Sequence, residues 1–174
     1  MNQVLENIIT RKSVRSFTDK TIEDDILEQI IKAGIHAPSG MNKQSFRFTI
    51  VRNKDKMSRL AKEIATELER DVNTYNFYLP DVLIMVSDET ENSNGLADCA
   101  CALENIFLAA HSLGVGSVWI NQLKLICDKP KIRAILDEFE IPASHTVWGM
   151  AALGYPKENA TVTKERKAVI HYVE

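Results

Sequence analysis

The chain has 174 residues, of which 45% are hydrophobic and 26% are charged, the composition of an ordinary globular protein. Its formal net charge of −3 gives no general attraction to nucleic acid or anionic membranes, so any basic patch has to act locally. No stretch approaches the ~20 apolar residues that cross a bilayer, and the first residues are amphipathic rather than a signal peptide, so we expect a cytoplasmic protein.

Helical periodicity dominates the first part of the chain. It predicts a short helix over 3–10 and a second one over 22–36, with Thr21 as the N-cap candidate and acidic residues in the first turn. The alternating segment "SFRFTIV" predicts a strand over 45–51.

A long helix and a buried strand follow. Asn53 is a candidate cap for a helix over 54–73. The apolar run "DVLIMVS", 81–87, is typical of a strand buried on both faces, so we place it in the middle of the sheet.

The segment 95–116, "GLADCACALENIFLAAHSLGVG", predicts a helix that is apolar around most of its circumference. Such a helix must be covered on nearly all sides, and its many alanines allow close approach of a second helix, which favours a subunit interface over a central helix in a monomer. Gly114 is a candidate for the left-handed residue that ends this helix.

The last part of the chain alternates strand and helix again. "SVWIN" (117–121) and "TVWGMAALGY" (146–155) are predicted strands, separated by a helix that starts near Pro130. The tail after 160 is polar and then alternating, so that it could add an edge strand. Interleaved strands and helices favour a sheet flanked by helices.

No linker or internal repeat divides the sequence, so we expect one domain over 1–174. Cys99, Cys101 and Cys127 are odd in number and lack the C-x-x-C spacing, and we expect all three to be reduced, buried packing residues. The histidines lack metal-ligand spacing and no hydrolase motif is present, so hydrolase and metalloenzyme functions are not favoured and we predict no metal site.

The stretch "RKSVRSF", 11–17, concentrates three cations in an acidic chain. Arg11 and Lys12 would complement the C-terminal end of the preceding helix, an effect of about 0.3–1 kcal/mol. That explanation does not account for Ser13, Ser16 and Arg15, because guanidinium groups with hydroxyls are typical phosphate ligands. From the residues alone, a helix end and an anion site remain equally good explanations.

The stretch "HAPSGMNKQSFRF", 36–48, is rich in turn-forming residues and is a loop in its simplest interpretation. Asn42 and Gln44 nevertheless carry amides that both donate and accept hydrogen bonds, as recognition of a heterocyclic ring requires.

The glycines of "GVGSVWIN", 114–121, follow a helix and precede a strand, the reverse of a dinucleotide fingerprint, so a tightly held nicotinamide dinucleotide of the Rossmann type is not supported. The tail holds a second basic group at Lys164, Arg166 and Lys167, for which a solvated charge run is the default interpretation.

Taken together, "RKSVRSF", "APSGMNKQSFRF", "LGVGSVWIN", "LGYPKE" and "KERKAVIHY" closely resemble, in order and spacing, the FMN-dependent nitroreductase family. The resemblance implies an α+β fold with a central, mainly antiparallel sheet, an intertwined homodimer, and one FMN per active site at the dimer interface. It also implies an NAD(P)H-dependent flavin oxidoreductase with a ping-pong cycle, in which NADH or NADPH reduces the flavin before an acceptor such as a nitroaromatic or quinone enters.

The resemblance also implies which residues bind the cofactor. The first motif would contact the FMN phosphate, ribityl chain and pyrimidine side of the ring, the loop would reach the flavin of the partner subunit, the strand would line the ring near N5, and the C-terminal pair would close on the phosphate. The implied cofactor-binding residues are Arg11, Lys12, Ser13, Arg15, Pro38, Ser39, Gly40, Met41, Asn42, Gln44, Trp119, Ile120, Asn121, Lys164 and Arg166. No catalytic acid or base is implied.

Two departures from the family pattern matter. Asn121 and Gln122 stand where one well-known branch has Glu and Gly, which leaves only a backbone contact near N5, and the short segment 88–95 offers little to cover the flavin. The alternatives are a non-catalytic FMN-binding or flavin-delivery protein and another flavin-dependent reductive activity on the same fold.

Overall fold

The computed structural model describes residues 1–158, 160 and 165–174. Its helices are α1 (Gln3–Thr10), α2 (Asp24–Ile35), α3 (Lys54–Glu67), α4 (Gly95–Ser112) and α5 (Pro130–Glu138). Its strands are β1 (Arg47–Val51), β2 (Val82–Glu89), β3 (Gly116–Ile120) and β4 (His145–Gly154). Among the described residues, no helix has the length and apolar character needed to cross a membrane.

The four strands form one antiparallel sheet in the order β1-β2-β4-β3. The prediction that β2 lies inside the sheet is confirmed, since β2 pairs with β1 on one side and with β4 on the other. The α+β fold with a central antiparallel sheet is likewise confirmed.

Hydrophobic clusters cover both faces of this sheet, because successive side chains of a strand point to opposite sides. Leu83 and Met85 of β2 belong to the cluster that α3 and α5 complete, whereas Val82, Ile84 and Val86 belong to the cluster that α2 and α4 complete. The sheet therefore separates α2 and α4 on one face from α3 and α5 on the other.

Helix α2 begins later than predicted, and Thr21 is not its N-cap. Glu23 occupies the cap position, without a side-chain cap hydrogen bond. The reason is tertiary: Ile22 is fully buried, its N–H donates to the Asp81 carboxylate at 2.8 Å, and its carbonyl accepts from Arg52. These contacts hold Ile22 outside the helix.

Helix α3 ends at Glu67, six residues before its predicted end, although Asn53 caps its start as predicted by accepting from the Lys56 N–H at 2.9 Å. Glu69 adopts the left-handed conformation (φ 52°), and the Arg70 N–H donates to the Ala65 carbonyl at 2.8 Å. This is the hydrogen-bond pattern of a Schellman C-cap, which usually has glycine at the left-handed position. Because Glu69 takes the place of the usual glycine, the sequence does not indicate that the helix ends here.

Gly114 ends α4 as predicted, with φ 74° and the Val115 N–H donating to the Ala110 carbonyl at 2.8 Å. Two other expectations are wrong in part. Cys99 and Cys127 are free and buried, but Cys101 is free and exposed. No strand forms in the described tail, 165–174. Within one chain α4 keeps an exposed side that includes Leu96, so the expected cover by a second subunit stays a prediction.

Candidate functional site

The first basic motif runs in extended conformation along the edge of the sheet. Ser13 forms a parallel bridge with Ser117, and the Val14 N–H donates to the Ser117 carbonyl at 2.9 Å. Further along, Phe17 bridges Pro156 in antiparallel sense. The fold thus brings three of the sequence motifs side by side: "RKSVRSF", the start of "GVGSVWIN" and "LGYPKE".

Helix α1 carries this motif onto the C-terminal half of α4. The Asn7 side chain donates to the Leu108 carbonyl at 2.9 Å, and the Thr10 hydroxyl lies 2.9 Å from Nε2 of His111. Arg11 Nε lies 3.7 Å from Oε1 of Glu104, an ion pair with a half-exposed partner. Such a pair contributes only about 0–1 kcal/mol to stability, so a ligand can displace Glu104 from the Arg11 guanidinium at little cost.

A cleft of about 430 Å³ lies beside the motif. Lys12 and Val14, two positions apart in the extended segment, both line it, and Lys157 contributes a second cation. Its other lining residues are Thr10, His111, Gly114, Val115, Gly116, Ser117, Pro156 and Ala160. The cleft therefore combines lysine side chains with glycine-rich backbone, a combination that suits an anion.

His111 does not add a cation to this cleft at neutral pH. Burial, and secondarily the nearby Arg11 cation, hold the pKa of His111 below its ordinary value of 6.5. A lowered pKa means that the imidazole stays neutral down to more acidic pH. The positive charge of the cleft therefore comes from the lysines.

The loop of the second motif is held in an unusual conformation. Met41, Asn42 and Gln44 all have positive φ values of 52–55°, which is uncommon for residues other than glycine. The Gln44 N–H donates to the Ser39 hydroxyl, and the Gln44 side-chain amide donates to Oδ1 of Asn42, both at 2.9 Å. Pro38, Met41, Asn42 and Gln44 are exposed, so the loop presents its side chains at the surface.

This loop lies at the opposite end of α4 from the first motif. The Gly40 N–H donates to Oδ1 of Asp98, in the first turn of α4, at 2.9 Å. Helix α1, which leads into the first motif, instead reaches α4 at Leu108 and His111, and Lys12 of the motif lines the cleft together with His111 and Gly114. Arg11 of the motif pairs with Glu104, nearer the middle of α4. At 1.5 Å per residue, Asp98 lies about 9 Å from Glu104 and about 15 Å from Leu108 along the helix. The structure therefore does not bring the two predicted groups together within one chain.

The predicted N5 segment follows the end of β3. Trp119 is half-buried against Phe107, with ring centroids 6.0 Å apart, and its indole N–H donates to Oδ1 of Asn121 at 3.3 Å. Ile120 is buried. The Asn121 N–H, the backbone group expected near N5, donates to Oε1 of Gln122 at 2.9 Å. The half-buried Gln122 side chain has to move before the Asn121 N–H can meet a ligand.

The remaining predicted residues lie in the tail or at the surface. Arg15 and Arg166 are exposed, and Lys164 lies outside the described residues. The two-sided contact on a phosphate expected from Lys164 and Arg166 therefore stays a prediction. No group of three or more histidine, cysteine, aspartate or glutamate side chains in the described part of the chain is arranged to hold a metal.

Several residues of this region were missed by sequence reasoning. Thr10, His111 and Lys157 line the cleft, and Asp98 holds the loop. Only Asp98 and His111 carried a signal, since they are polar residues in a helix that is otherwise almost entirely apolar.

Comparison with known proteins identifies the class. The model of the nitroreductase family matches residues 8–155, and the chain belongs to this family. A nitroreductase with bound FMN from Bacteroides fragilis is 40% identical, with a TM-score of 0.94 and full coverage of both chains. A nitroreductase with bound FMN from Desulfitobacterium hafniense is 29% identical, with a TM-score of 0.88 and full coverage of both chains. An NADPH-flavin oxidoreductase from Vibrio harveyi is 30% identical over 98% of this chain and 74% of the relative.

Proposed function

We propose that this protein is an FMN-dependent NAD(P)H oxidoreductase that passes reducing equivalents to a small acceptor such as a nitroaromatic or a quinone, with residues 1–174 as one FMN-binding domain. The observation that carries this proposal is the placement of "RKSVRSF" beside the start of β3 and a cleft with two lysines, in a chain with the nitroreductase fold. The full-length similarity to FMN-bound nitroreductases supports the choice of cofactor.

The residues present fit a flavin mononucleotide. Arg11, Lys12 and the Ser13 hydroxyl are suitable ligands for its phosphate, and the exposed Arg15 is placed further along the same segment for the ring. When bound, FMN supplies the hydride chemistry, so the protein has to bind and orient it and tune its charge. We assign no general acid or base, and we assign to Arg15 the stabilisation of negative charge on the pyrimidine edge.

We further propose that the active form is a homodimer in which the loop 38–44 of one chain completes the site of the other. The loop and the first motif lie at opposite ends of α4, and a shared site would reunite them. Large apolar side chains also lie exposed on α1 and in the tail, including Val4 (66%), Ile9 (64%) and Val169 (98%). On α1 the exposed Val4, Leu5, Ile8 and Ile9 share one side of the helix, and an exposed apolar patch is typical of an interface.

The dimer predicts a solution mass of twice the chain mass of 19.6 kDa. Light scattering of the FMN-loaded protein measures it. Ile9→Glu places a charge on the apolar side of α1 and is expected to shift the protein towards the monomer, whereas Thr66→Glu, on the exposed side of α3, is expected to leave the dimer intact. A stable monomer that retains FMN would rule out the shared site.

Oxidoreductase activity predicts that NADH or NADPH, added without oxygen, bleaches the visible band of the bound flavin. A subsequent nitroaromatic or quinone is expected to restore the band, and initial rates at several donor concentrations should give the parallel reciprocal plots of a ping-pong cycle. Bound flavin that neither donor bleaches would favour the alternative, a non-catalytic FMN-binding or flavin-delivery protein.

A further inference from the structure

The loop of the second motif is attached to the fold at both of its ends by buried carboxylates. At one end the Gly40 N–H donates to Oδ1 of Asp98 at 2.9 Å, and at the other end the Ser45 hydroxyl donates to Oδ2 of Asp88 at 3.1 Å. Asp88 is 0% exposed and Asp98 is 5% exposed. We call these two contacts the loop anchors.

Burying a carboxylate is costly unless hydrogen bonds compensate for its lost hydration. Asp88 is compensated locally, because it also accepts from the Glu89 N–H at 2.8 Å and from the Asn92 side chain at 2.9 Å. Asp98 is different: its Oδ2 is buried without a hydrogen-bond partner among the described residues. The contact with Gly40 is thus the hydrogen bond through which Asp98 acts on another part of the chain.

Both carboxylates lie at the N-terminal end of α4. Asp98 is in its first turn, and a Cβ added at Gly95, the first residue of the helix, would lie 3.5 Å from the Cβ of Asp88. After burial itself, both carboxylates raise the pKa of the Cys99 thiol. Asp98 lies in the first turn of α4, where the helix dipole favours a negative charge. A role in stabilising that helix end is therefore the alternative explanation for Asp98.

The loop between the anchors has little freedom to sit elsewhere. A Cβ added at Gly40 would clash with the side chain of Asn94, so the backbone lies directly against the residue that precedes α4. Met41, Asn42 and Gln44 adopt left-handed backbone conformations within the same loop. Such conformations persist only where the surroundings impose them.

We propose that Asp88 and Asp98 are positioning residues for the cofactor site. They hold the loop 39–45 in the conformation in which Asn42 and Gln44 reach the flavin of the second chain. This inference rests on the proposed function, in which that loop completes the neighbouring site. It differs from a helix-capping role, which would affect stability and leave the loop and the cofactor unaffected.

Asp98→Ala removes the anchor, and Asp98→Asn keeps an oxygen acceptor for the Gly40 N–H. We expect the alanine variant to accelerate amide hydrogen exchange across 40–45 in the apoprotein and to raise the dissociation constant for FMN. Both changes are expected to be about 10- to 100-fold, the range for losing a hydrogen bond to a charged group. The asparagine variant is expected to stay within about three-fold of the wild type in both measurements, because it retains the hydrogen bond.

Asp81→Ala is the matched control. Asp81 is also buried and also accepts a backbone N–H, from Ile22, but it lies at the other end of β2 from Asp88. The two residues are seven positions apart in extended chain, a distance of about 23 Å. The control is expected to lower the melting temperature while leaving exchange in 40–45 and FMN affinity unchanged.

Ser45→Ala provides a milder test should Asp98→Ala fold poorly, since it removes the second anchor without touching a carboxylate. It is expected to accelerate exchange at 44–46. Unchanged exchange in both anchor variants, or an equal loss of FMN affinity in Asp81→Ala, would overturn the inference. The exchange measurement needs no cofactor, so a wild-type protein that does not bind FMN would count against the proposed function and not against the anchors.

Discussion

Replacing Arg11 with alanine is expected to weaken FMN binding by about 10- to 100-fold, the equivalent of one charge-assisted hydrogen bond of about 1.5–3 kcal/mol. Arg11 follows α1 directly, at the start of the segment that pairs with β3, and its side chain is 19% exposed. A guanidinium in this setting is only partly hydrated and presents several donors to a phosphate. Titration of the apoprotein with FMN, followed by quenching of flavin fluorescence at fixed ionic strength, measures the change.

Glu104→Gln is the control for Arg11, because it removes the ion pair with Glu104 and leaves the guanidinium in place. If Arg11 binds the cofactor, this variant should bind FMN as well as or slightly better than the wild type, since the carboxylate no longer competes. If Arg11 serves only to attach α1 to α4, the two variants should have similar effects. Equal losses of affinity would therefore contradict the assignment.

Gly149→Val is expected to lower the free energy of unfolding by about 1–3 kcal/mol, the usual cost of overpacking a core. A Cβ at this position would lie 2.7 Å from Cδ1 of Leu103 and 2.8 Å from Cζ2 of Trp119. Leu103 is fully buried and Trp119 is half-buried, so the added side chain displaces both, with more room for Trp119 to shift. Urea unfolding monitored by circular dichroism measures the effect.

The same substitution tests whether β4 supports the cofactor site. Trp119 belongs to the segment assigned to the flavin ring, so its displacement is expected to weaken FMN binding as well as stability. Gly149→Ala should change both quantities in the same direction by smaller amounts. A valine variant as stable as the wild type would mean that the strand relaxes at the register shift between Val86 and Ser87, which lies opposite Gly149.

The regular elements were predictable wherever one local signal decided them. The Asn53 cap, the left-handed Gly114 and the proline at the start of α5 all act within a few residues. The apolar run of β2 likewise indicated an inner strand. Errors arose where a distant contact decided the outcome, as at Ile22, whose N–H is taken by Asp81 rather than by a helix turn.

In the candidate site, too, local features were predictable and contacts between distant segments were not. Its residue types, the cations of "RKSVRSF" and the amides of the 38–44 loop, were recognisable because side-chain chemistry and motif spacing belong to the sequence itself. The contribution of Lys157 was not recognisable, since it enters the cleft only through the pairing of its segment with 16–17.

The sequence by itself determined the family, the order of the elements and the residues with the chemistry to bind a phosphate and a ring, because these depend on local periodicity and on motifs. Only the tertiary structure placed the first motif and the loop at opposite ends of α4 and attached the loop to Asp88 and Asp98. These contacts join residues 43 to 101 positions apart, so they depend on how helices and strands pack, which no local pattern specifies. The placement of the first motif and the loop at opposite ends of α4 is the physical reason to expect that a second chain completes the site.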